Sequence, residues 1–498
     1  MQTLYVTTPI YYVNAKPHIG HAYTTIVCDV FTRFNKMLGK NVKFVTGTDE
    51  HGKKIEQSAT KAGLDPKKFT DNISQLFRDI LPVLNIFNND FIRTTEERHK
   101  KAVSAIWNKL SEKGYIYLGE YSGWYDIRNE AYFSEDELID GKSPLGGEVT
   151  IMKEECYFFK LSEFEDKLLK FYDENPDFIF PETRRNEVLS FVKGGLKDLA
   201  ISRASFKWGI PVPNDPKHVI YVWVDALTNY LTMLGYPHES DMNNNQYWQN
   251  SIHFVGKEIV RFHAVYWPAL LMASGIRPPK QIVAHGWWMS EGEKMSKSLG
   301  NVQDPVKYCK LFGSDSLRYF LLRELSFGSD GNFSLEGFIG RYNGVLANAY
   351  GNLCKRVLSI AQKNCSGIVK KTEDEADFIK EIEKILNETI ELVEKYAFNR
   401  YLEKVETAIA FANQYVDQQK PWAIEDQNAL QNILHNLLIA IIQITKFFEP
   451  VIPIAASKVL SQIKVLDNKD IVVTNSDDSL FPRIDASKIG EFDVFERE

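Results

Sequence analysis

The sequence predicts an α/β fold, a doubly wound parallel sheet split by an insertion, followed by a domain built only of helices. Three observations predict it. Residues 4–46 have the pattern strand, helix, strand; residues 115–213 change to short strands and turns; residues 341–465 are almost wholly helical in pattern. Alternating strands and helices form parallel sheets, whereas consecutive helices form bundles. A chain of 498 residues is also too long for one core.

The elements of the sheet follow in order along the chain. A first strand is predicted within residues 4–13, where β-branched, aromatic and apolar side chains alternate. Pro17 then begins a helix whose apolar positions recur at helical spacing as far as Met37. Further strands are predicted at residues 42–46, 218–227, 252–257 and 281–288. Because ligands of open α/β sheets bind beyond the carboxyl ends of the strands, residues at those ends are site candidates.

Composition excludes several classes of protein. The chain is 44% hydrophobic and 25% charged, which is ordinary for a soluble globular protein. Its net charge of −7 does not indicate nucleic-acid binding, so any RNA contact must come from local patches. No membrane-spanning run or secretory signal is visible, and the five cysteines form no C-x-x-C pair. We therefore expect a cytoplasmic protein without membrane contact or disulfides.

Two short motifs predict a triphosphate site. His18-Ile19-Gly20-His21 begins the first helix, where unpaired backbone N–H groups attract phosphate. His18 and His21 are three residues apart and share a face, and donors of this kind are worth about 10²–10³ in rate each. Gly20 leaves room for a flat adenine. The alternative is that the two histidines only cap a helix.

The second motif is Lys294-Met295-Ser296-Lys297-Ser298. Lys294 and Lys297 are placed to neutralise β- and γ-phosphates, and Ser296 favours a mobile loop that closes on ATP. A solvated basic turn is the alternative for this motif alone. The occurrence of both motifs in this order favours the phosphate interpretation and is typical of class I aminoacyl-tRNA synthetases.

Further motifs identify a narrower resemblance. They are Thr8-Pro9-Ile10-Tyr11-Tyr12-Val13-Asn14, Thr46-Gly47-Thr48-Asp49-Glu50-His51-Gly52, Trp223-Val224-Asp225-Ala226, Gly256-Lys257-Glu258-Ile259 with Phe262-His263, Ala284-His285-Gly286 and Gln419-Lys420-Pro421-Trp422. Over essentially its whole length the chain resembles the methionyl-tRNA synthetases. The resemblance implies a Rossmann-type catalytic domain in residues 1–114 and 216–340, split by a connective insertion at 115–215, and an anticodon-binding domain at 341–498.

The resemblance also implies the reaction and its site. L-Methionine is activated with ATP to methionyl-adenylate and then passed to the 3′-terminal adenosine of tRNA(Met), both initiator and elongator. Asp49 matches the carboxylate that binds the substrate ammonium. The matching methionine-contacting positions are Ile10, Tyr12, Trp223, Ala226, Tyr230 and His285, and the adenosine positions are Gly256, Lys257, Glu258 and His263. Mg²⁺ is expected with ATP, bound mainly by phosphates and water.

The sequence departs from many relatives in the insertion. Where those carry pairs of zinc-binding cysteines, this chain has Asp126 and Asn129 after Gly123-Trp124-Tyr125, and no cysteine in residues 143–146. Such residues do not form a zinc site with soft ligands, so we expect no structural zinc. Packing of Trp124, Tyr125, Tyr132 and Phe133 is expected to replace the metal. The chain has no room for the extra dimerising module of some relatives, and a monomer is expected.

A basic segment is the predicted tRNA contact. Residues 341–371 contain six basic residues and no acidic one, and phosphate contacts supply much of RNA affinity. Asn348, Asn352 and Arg356 are four apart, on the side opposite the apolar stripe, within reach of base edges. Trp422 follows a proline and is placed to stack on an unpaired base, worth about 1–3 kcal/mol. The alternative is a solvated polar face and a core tryptophan.

Four other functions fit the sequence less well. Synthetases for isoleucine, leucine or valine carry an editing insertion larger than residues 115–213, and a cysteine enzyme needs a zinc site that this sequence lacks. A small nucleotidyltransferase with the same histidine motif has no need of the helical half. A non-catalytic RNA-binding protein of this ancestry predicts eroded ATP motifs, whereas both motifs are intact here.

Overall fold

The computed structural model describes residues 2–127, 131–133, 135–144, 146–290, 292–295, 301–371, 376–474 and 479–495. These residues form two compact units. The first contains Met1–Pro17, Asn35–Pro82 and Ile86–His285, and the second contains His18–Phe34, Val83–Asn85 and Gly286–Glu498. Within the described ranges, no helix is both long and apolar enough to cross a membrane.

Twenty strands are described, most of them short. In chain order they are β1 (Thr3–Thr7), β2 (Tyr11–Tyr12), β3 (Asn41–Asp49), β4 (Asp90–Arg93), β5 (Ile116–Asp126), β6 (Ala131–Phe133), β7 (Val149–Phe159), β8 (Ile179–Phe180), β9 (Leu199–Ala200), β10 (Ser202–Arg203), β11 (Pro211–Val212), β12 (Asp215–Ile220), β13 (Ser251–Gly256), β14 (Gln281–His285), β15 (Trp288–Ser290), β16 (Glu293–Lys294), β17 (Gly331–Phe333), β18 (Ile368–Val369), β19 (Ile463–Val465) and β20 (Ile471–Val473).

The α-helices in the described residues are α1 (Ile19–Met37), α2 (Lys53–Lys61), α3 (Pro66–Val83), α4 (Glu97–Glu112), α5 (Glu165–Glu174), α6 (Glu182–Lys193), α7 (Val222–Thr232), α8 (Gln246–Gln249), α9 (Trp267–Ser274), α10 (Pro305–Phe312), α11 (Ser314–Arg323), α12 (Leu335–Arg341), α13 (Asn352–Asn364), α14 (Ala376–Glu394), α15 (Phe398–Gln419), α16 (Gln427–Phe448) and α17 (Pro453–Ser461). A π-helical segment, Tyr342–Gly351, joins α12 to α13.

The first unit is built on a parallel sheet with the strand order β2-β3-β1-β13-β14-β8, and β4 also pairs with β3. Its strands are almost fully buried; Tyr5 and Val6 of β1 are inaccessible. Helices on both faces of a parallel sheet cause such burial, and the strands are therefore continuous apolar runs. The chain proceeds from β1 to β3 on one side and to β13 on the other. The predicted doubly wound α/β fold is thus confirmed.

One predicted strand is wrong. Residues 218–227 were expected to continue the main sheet, but β12 ends at Ile220 and belongs to a separate sheet of order β10-β12-β11. Residues Val222–Thr232 form α7, in which every side chain except Trp223 is buried. A short apolar run without a clear period fits a buried helix as well as a buried strand, and here the helix forms. The strands predicted at 252–257 and 281–288 are present as β13 and β14.

The predicted insertion contains a second sheet, of order β6-β5-β7-β9. Strands β5 and β7 pair antiparallel along their whole length. Tyr125 and Phe133 are buried in it and Trp124 is partly buried, as expected, while the side chain of Tyr132 lies outside the described residues. One strand inside the predicted insertion, β8, instead pairs with β14 of the main sheet. Strand β8 has only two residues, so it shows no periodicity from which its pairing with β14 could be predicted.

The second unit is mainly helical from α12 onward, as predicted, with a small sheet of order β18-β20-β19 added. Beyond the helical region, Phe481 and Val494 are buried although they lie in a segment with little regular structure. Lys307 contacts Asp493 through its Nζ at 2.8 Å and so fixes this end to α10. Apolar residues spaced along an irregular segment give no periodic signal, so the sequence did not predict this packing.

A buried arginine, Arg318, connects several segments of the second unit through hydrogen bonds. Arg318 of α11 and Asp29 of α1 are both inaccessible, and their Nη2 and Oδ2 atoms are 2.6 Å apart. The remaining Arg318 donors bind backbone oxygens of Val451, Pro450 and the Leu84–Asn85 turn at 2.7–3.4 Å. All five guanidinium N–H groups therefore have acceptors, which is what makes the buried charge tolerable.

Candidate active site

The predicted methionine-binding residues all belong to the first unit, and Tyr12, Asp49 and His285 lie at the carboxyl ends of its strands. Tyr12 of β2 pairs directly with Asp49, the last residue of β3. Gly256 and His285, the last residues of β13 and β14, pair with each other in the same way. The ends of four parallel strands therefore bring these residues to one edge of the sheet, where such folds bind ligands.

Asp49 is buried, with 8% of the residue exposed. Its chain neighbour Glu50 is inaccessible and accepts hydrogen bonds from Arg93 Nε at 2.6 Å and Arg93 Nη2 at 2.9 Å. Thr95 donates to Glu50 at 2.6 Å and Thr48 donates at 2.8 Å. A carboxylate bound by four donors is strongly fixed. The backbone that carries Asp49 is thereby held in place, a role that the sequence did not reveal.

His51 is also bound, to a residue of α7. Its Nδ1 lies 2.6 Å from Asp225 Oδ2, and His99 Nε2 lies 2.8 Å from Asp225 Oδ1. Burial alone raises the pKa of Asp225, but the attraction of His51 and His99 outweighs it and lowers this pKa below its ordinary value. The ionised carboxylate accepts, so both rings donate. In the sequence, His51 and Asp225 occur within the motifs but have no predicted role. The signal for Asp225 is its charge within an otherwise apolar segment.

Helix α7 supplies the aromatic side of the candidate pocket. Trp223, Ala226 and Tyr230 follow the helical spacing i, i+3, i+7 and so share a face. Trp223 is partly exposed and stacks on Phe262 with centroids 3.8 Å apart and an interplanar angle of 3°. Tyr230 is 1% exposed and stacks on His253 at 4.0 Å. Aromatic surfaces of this kind suit a polarizable thioether.

Tyr230 is linked to His263, a predicted adenosine contact. His263 Nδ1 donates to the carbonyl of Ile259 at 2.9 Å, so its Nε2 accepts from the hydroxyl of Tyr230 at 2.7 Å. Burial lowers the pKa of His263 to about 4, although its bond to Ile259 opposes the shift. The ring is therefore neutral near pH 7, with a defined tautomer.

The other predicted contacts of the first unit vary in burial. Ile10 and Tyr12 are partly buried against the core, His285 is buried, Lys257 is half-buried and Glu258 is exposed. Gly256 lies close to the Glu258 side chain. A Cβ atom there would lie 2.5 Å from the Glu258 carboxylate, so a larger residue would displace that side chain.

His18, Gly20 and His21 belong to the second unit and form a cap at the start of α1. The backbone N–H of Gly20 donates to His18 Nδ1, and that of His18 donates to His21 Nδ1, each at 3.1 Å. This reciprocal arrangement resembles a capping box. Because both Nδ1 atoms accept, the ring protons reside on the Nε2 atoms. Burial and the neighbouring His18 ring lower the pKa of His21, which is thus a neutral donor.

Capping was the alternative considered for these histidines, and the two roles are compatible. The ring centroids are 3.8 Å apart, so both histidines lie together at a helix N-terminus. The helix begins at Ile19, two residues after the predicted start at Pro17. In the second motif, Lys294 ends β16. Ser296, Lys297 and the side chain of Lys294 lie outside the described residues.

The predicted anticodon residues lie in the second unit. Asn348 and Asn352 are exposed, and Arg356 is half-buried. The guanidinium carbon of Arg356 lies 5.2 Å from the ring centroid of Trp422, which is 52% exposed. Trp422 is therefore not a core residue, and its position suits a stacking surface. Asn348 lies in the π-helical segment, which has more residues per turn than an α-helix. The four-residue spacing from Asn348 to Asn352 therefore does not place the two side chains as it would in an α-helix.

The basic segment is less charged than its sequence indicates. Arg341 pairs with Glu324 at 3.0 Å, and Arg356 pairs with Asp417 at 3.0 Å. Acids from distant parts of the chain thus compensate at least two of its six basic residues. Sequence windows do not reveal such partners because the acids lie 17 and 61 residues away.

In the insertion, a hydrogen bond joins Asp126 to the segment that begins at Ser143. Ser143 Oγ donates to the inaccessible Asp126 at 2.5 Å, and Gly147 lies against the same carboxylate. Asn129 lies outside the described residues. Nowhere in the described part of the chain do three or more His, Cys, Asp or Glu side chains gather as a metal site. The absence of structural zinc remains a prediction.

Comparison with known proteins gives consistent matches. The family model for class I (M) tRNA synthetases matches residues 4–144 and 133–358, and the model for the anticodon-binding domain of tRNA ligases matches residues 375–493. Methionine–tRNA ligase of Rickettsia felis is 50% identical over 474 residues, which are 93% of this chain and 92% of the relative. That of Mesorhizobium japonicum is 46% identical over 490 residues, 96% of this chain and 95% of the relative.

Solved structures agree with these relatives. The methionyl-tRNA synthetase of Mycobacterium tuberculosis in complex with methionyl-adenylate has a TM-score of 0.91 and 42% identity, over 97% of this chain and 100% of that one. The apo form of the same organism's enzyme has a TM-score of 0.84 and 39% identity, over 97% and 99% of the two chains.

Proposed function

This chain belongs to the methionine type of the class I tRNA synthetases, and from that premise we propose which of its residues bind each substrate. The activity is that of a methionine–tRNA ligase: ATP activates L-methionine to methionyl-adenylate, and methionine then passes to tRNA. The observation that carries the residue assignment is the pairing of Tyr12 with Asp49 at the sheet edge.

For methionine, we propose that Asp49 binds the ammonium group. Ile10, Tyr12 and His285 line the pocket together with the α7 face formed by Trp223, Ala226 and Tyr230. The low exposure of Asp49 supports this assignment, because a charge–charge contact is strengthened away from water. The thioether would then contact aromatic surfaces, each contact being worth about 0.3–1.5 kcal/mol.

For ATP, we propose that Gly256, Lys257, Glu258 and His263 contact the adenosine. His18 and His21 donate through Nε2 to the α-phosphate as a methionine carboxylate oxygen attacks its phosphorus and pyrophosphate leaves. Gly20 gives the adenine space, while Lys294, Ser296 and Lys297 bind the outer phosphates. Mg²⁺ is proposed to enter with ATP, since its preference for phosphate and water needs few protein ligands.

For tRNA, we propose that Asn348, Asn352, Arg356 and Trp422 recognise the anticodon of initiator and elongator tRNA(Met). The 3′-terminal adenosine hydroxyl attacks the adenylate carbonyl, and AMP leaves. The exposure of Trp422 beside a guanidinium supports this assignment, because unpaired bases stack on such surfaces. We further propose that the protein acts as a cytoplasmic monomer without structural zinc.

Amino-acid-dependent exchange of pyrophosphate into ATP tests the activity. With each of the twenty amino acids in turn, we expect exchange with L-methionine and background values with the other nineteen. A parallel series with chelator and excess Mg²⁺ is expected to give the same rate. Exchange that is equally fast with another amino acid would refute the assignment of substrate.

A further inference from the structure

The buried cluster His51–Asp225–His99 has no part in the substrate contacts proposed above. Asp225 and His99 are inaccessible and His51 is 4% exposed. Both carboxylate oxygens of Asp225 are bound by imidazole nitrogens, at 2.6 and 2.8 Å. A buried carboxylate is costly unless it is paired and hydrogen-bonded, so such a cluster requires a reason.

Asp225 lies on the side of α7 away from the methionine-facing residues. Consecutive helical residues are about 100° apart, so Asp225 is rotated about 200° from Trp223. Asp225, Thr228 and Thr232 instead share a face at i, i+3 and i+7, and Thr232 contacts His99 Nδ1 at 3.0 Å. Any effect of Asp225 on substrate must therefore act through the position of α7.

The partner of Asp225 connects directly to the proposed ammonium site. His51 is two residues after Asp49, and the intervening Glu50 is fixed by Arg93. Trp208 adds to this restraint: its indole N–H donates to the carbonyl of Glu50 at 2.6 Å, and its ring packs edge-on against His51 at 5.5 Å. With Glu50 and His51 both held, the backbone next to Asp49 is restrained relative to α7.

We propose that Asp225 is a positioning residue for methionine recognition, which joins the segment carrying Asp49 to helix α7 through His51, with His99 as the second support. The cluster sets the distance between the carboxylate that binds the ammonium and the aromatic face that binds the thioether. This inference rests on the proposed role of Asp49. A displacement of about 1 Å in such a site costs on the order of 100-fold in rate. A rigid connection can therefore offset the energetic cost of burying the Asp225 carboxylate.

Two amide variants of His51 test the connection with matched chemistry. The side-chain amide of Asn presents an N–H near the place of Nδ1, whereas that of Gln presents it about one bond farther away. We expect His51→Asn to keep the methionine KM within about threefold of wild type and His51→Gln to raise it at least about tenfold. The KM for ATP is expected to change less than about twofold in both. Equal methionine KM values for the two variants would overturn the proposal.

A pair of inhibitors tests whether the effect passes through Asp49. 3-(Methylthio)propylamine carries the ammonium, and 3-(methylthio)propan-1-ol is a neutral compound of nearly the same shape. Against Asp225→Asn, we expect the amine to inhibit at least about tenfold more weakly than against wild type and the alcohol to change less than about twofold. Equal weakening of both would show a general structural role and overturn the inference.

Folding and function are separated by the controls. His99→Gln retains a donor near Nε2 and is expected to retain the methionine KM within about threefold. If Asp225→Asn does not fold, the soluble Asn and Gln variants of His51 still decide the question. Absence of methionine-dependent exchange in the wild type would refute the proposed function itself. Normal exchange in the wild type, together with equal methionine KM values in the His51 variants, would refute only this inference.

Discussion

At the scale of single residues, the hydroxyl of Tyr230 is the most sharply defined group of the candidate pocket. It donates to neutral His263. The orientation and tautomer of that ring are set by the hydrogen bond from its Nδ1 to the carbonyl of Ile259. Tyr230→Phe leaves a buried acceptor without its donor, a cost of about 1–3 kcal/mol. Because the disturbed ring belongs to the proposed pocket, we expect the methionine KM in pyrophosphate exchange to rise about 5- to 150-fold.

Tyr172→Phe is the matched control for that variant. Tyr172 is also 1% exposed, and its hydroxyl donates to the carbonyl of Ala264 at 2.6 Å. It lacks any proposed substrate contact, so its loss is expected to lower the melting temperature without raising the methionine KM. If both variants raise the KM equally, the pocket assignment of Tyr230 is wrong.

The depressed pKa of His263 predicts a contribution to acid sensitivity. Its pKa is about 4 in the folded protein and about 6.5 in an unfolded chain. Above pH 6.5 the ring is neutral in both states and its stabilisation is complete. As the pH falls toward 4, the unfolded state binds a proton that the folded state does not, and stability is lost.

Urea unfolding at two pH values measures this effect. Between pH 7.5 and pH 5, the wild type is expected to lose about 2 kcal/mol more of its free energy of unfolding than His263→Gln, from the linkage relation. Identical losses in the two proteins would show that His263 titrates normally in the folded state.

At the scale of elements, the N-terminus of α1 combines capping with the proposed chemistry. His21→Asn retains an acceptor for the backbone N–H of His18 but removes the Nε2–H donor. We expect kcat for exchange to fall about 10²- to 10³-fold with little change in melting temperature. His21→Ala removes both functions and should also lower stability by about 1 kcal/mol. A normal kcat in His21→Asn would leave only the capping role.

The insertion offers a second test at this scale. The hydrogen bond from Ser143 to Asp126 is proposed to do structurally what a metal does in other proteins. Ser143→Ala leaves a buried carboxylate with one donor fewer, and a loss of about 1–3 kcal/mol in stability is expected from thermal or urea unfolding. Treatment of the wild type with chelator is expected to leave its melting temperature unchanged. A chelator-induced decrease would reveal a structural metal.

The same scale shows where the sequence predicts structure well. Strands β13 and β14 were predicted because buried parallel strands are short apolar runs bounded by turns. Helix α7 was missed because its residues 222–227 are as apolar as those of a buried strand. Whether such a segment becomes a helix or a strand depends on its packing, which the local sequence does not show. Strand β8 and the buried Phe481 were missed because each depends on distant partners rather than on local pattern.

At the scale of the whole molecule, the two reaction steps predict two separable kinetic effects. Trp422→Ala removes the proposed stacking surface, and stacking is worth about 1–3 kcal/mol per base. We expect the KM for tRNA in aminoacylation to rise about 5- to 150-fold, while methionine-dependent exchange stays at the wild-type rate. Phe87→Ala, at a residue 67% exposed, is the control and should change neither. An unchanged KM for tRNA in Trp422→Ala would remove this residue from the anticodon site.

The candidate site as a whole divides into a part that the sequence predicts and a part that it does not. Motif residues such as Asp49 and His18 were predicted because contiguous motifs preserve their spacing. The residues that hold the segment of Asp49, namely Arg93, His99 and Glu50, were not predicted to do so. Their roles arise from hydrogen bonds between segments about 40 to 130 residues apart, and no local pattern records such distant pairing.

A crystal structure with methionine and ATP, or with a stable sulfamoyl analogue of methionyl-adenylate, tests the central claim most directly. The ammonium nitrogen is expected within hydrogen-bonding distance, about 2.7–3.2 Å, of an Asp49 carboxylate oxygen. The sulfur is expected between Trp223 and Tyr230. A methionine side chain bound elsewhere, with its ammonium distant from Asp49, would contradict the account.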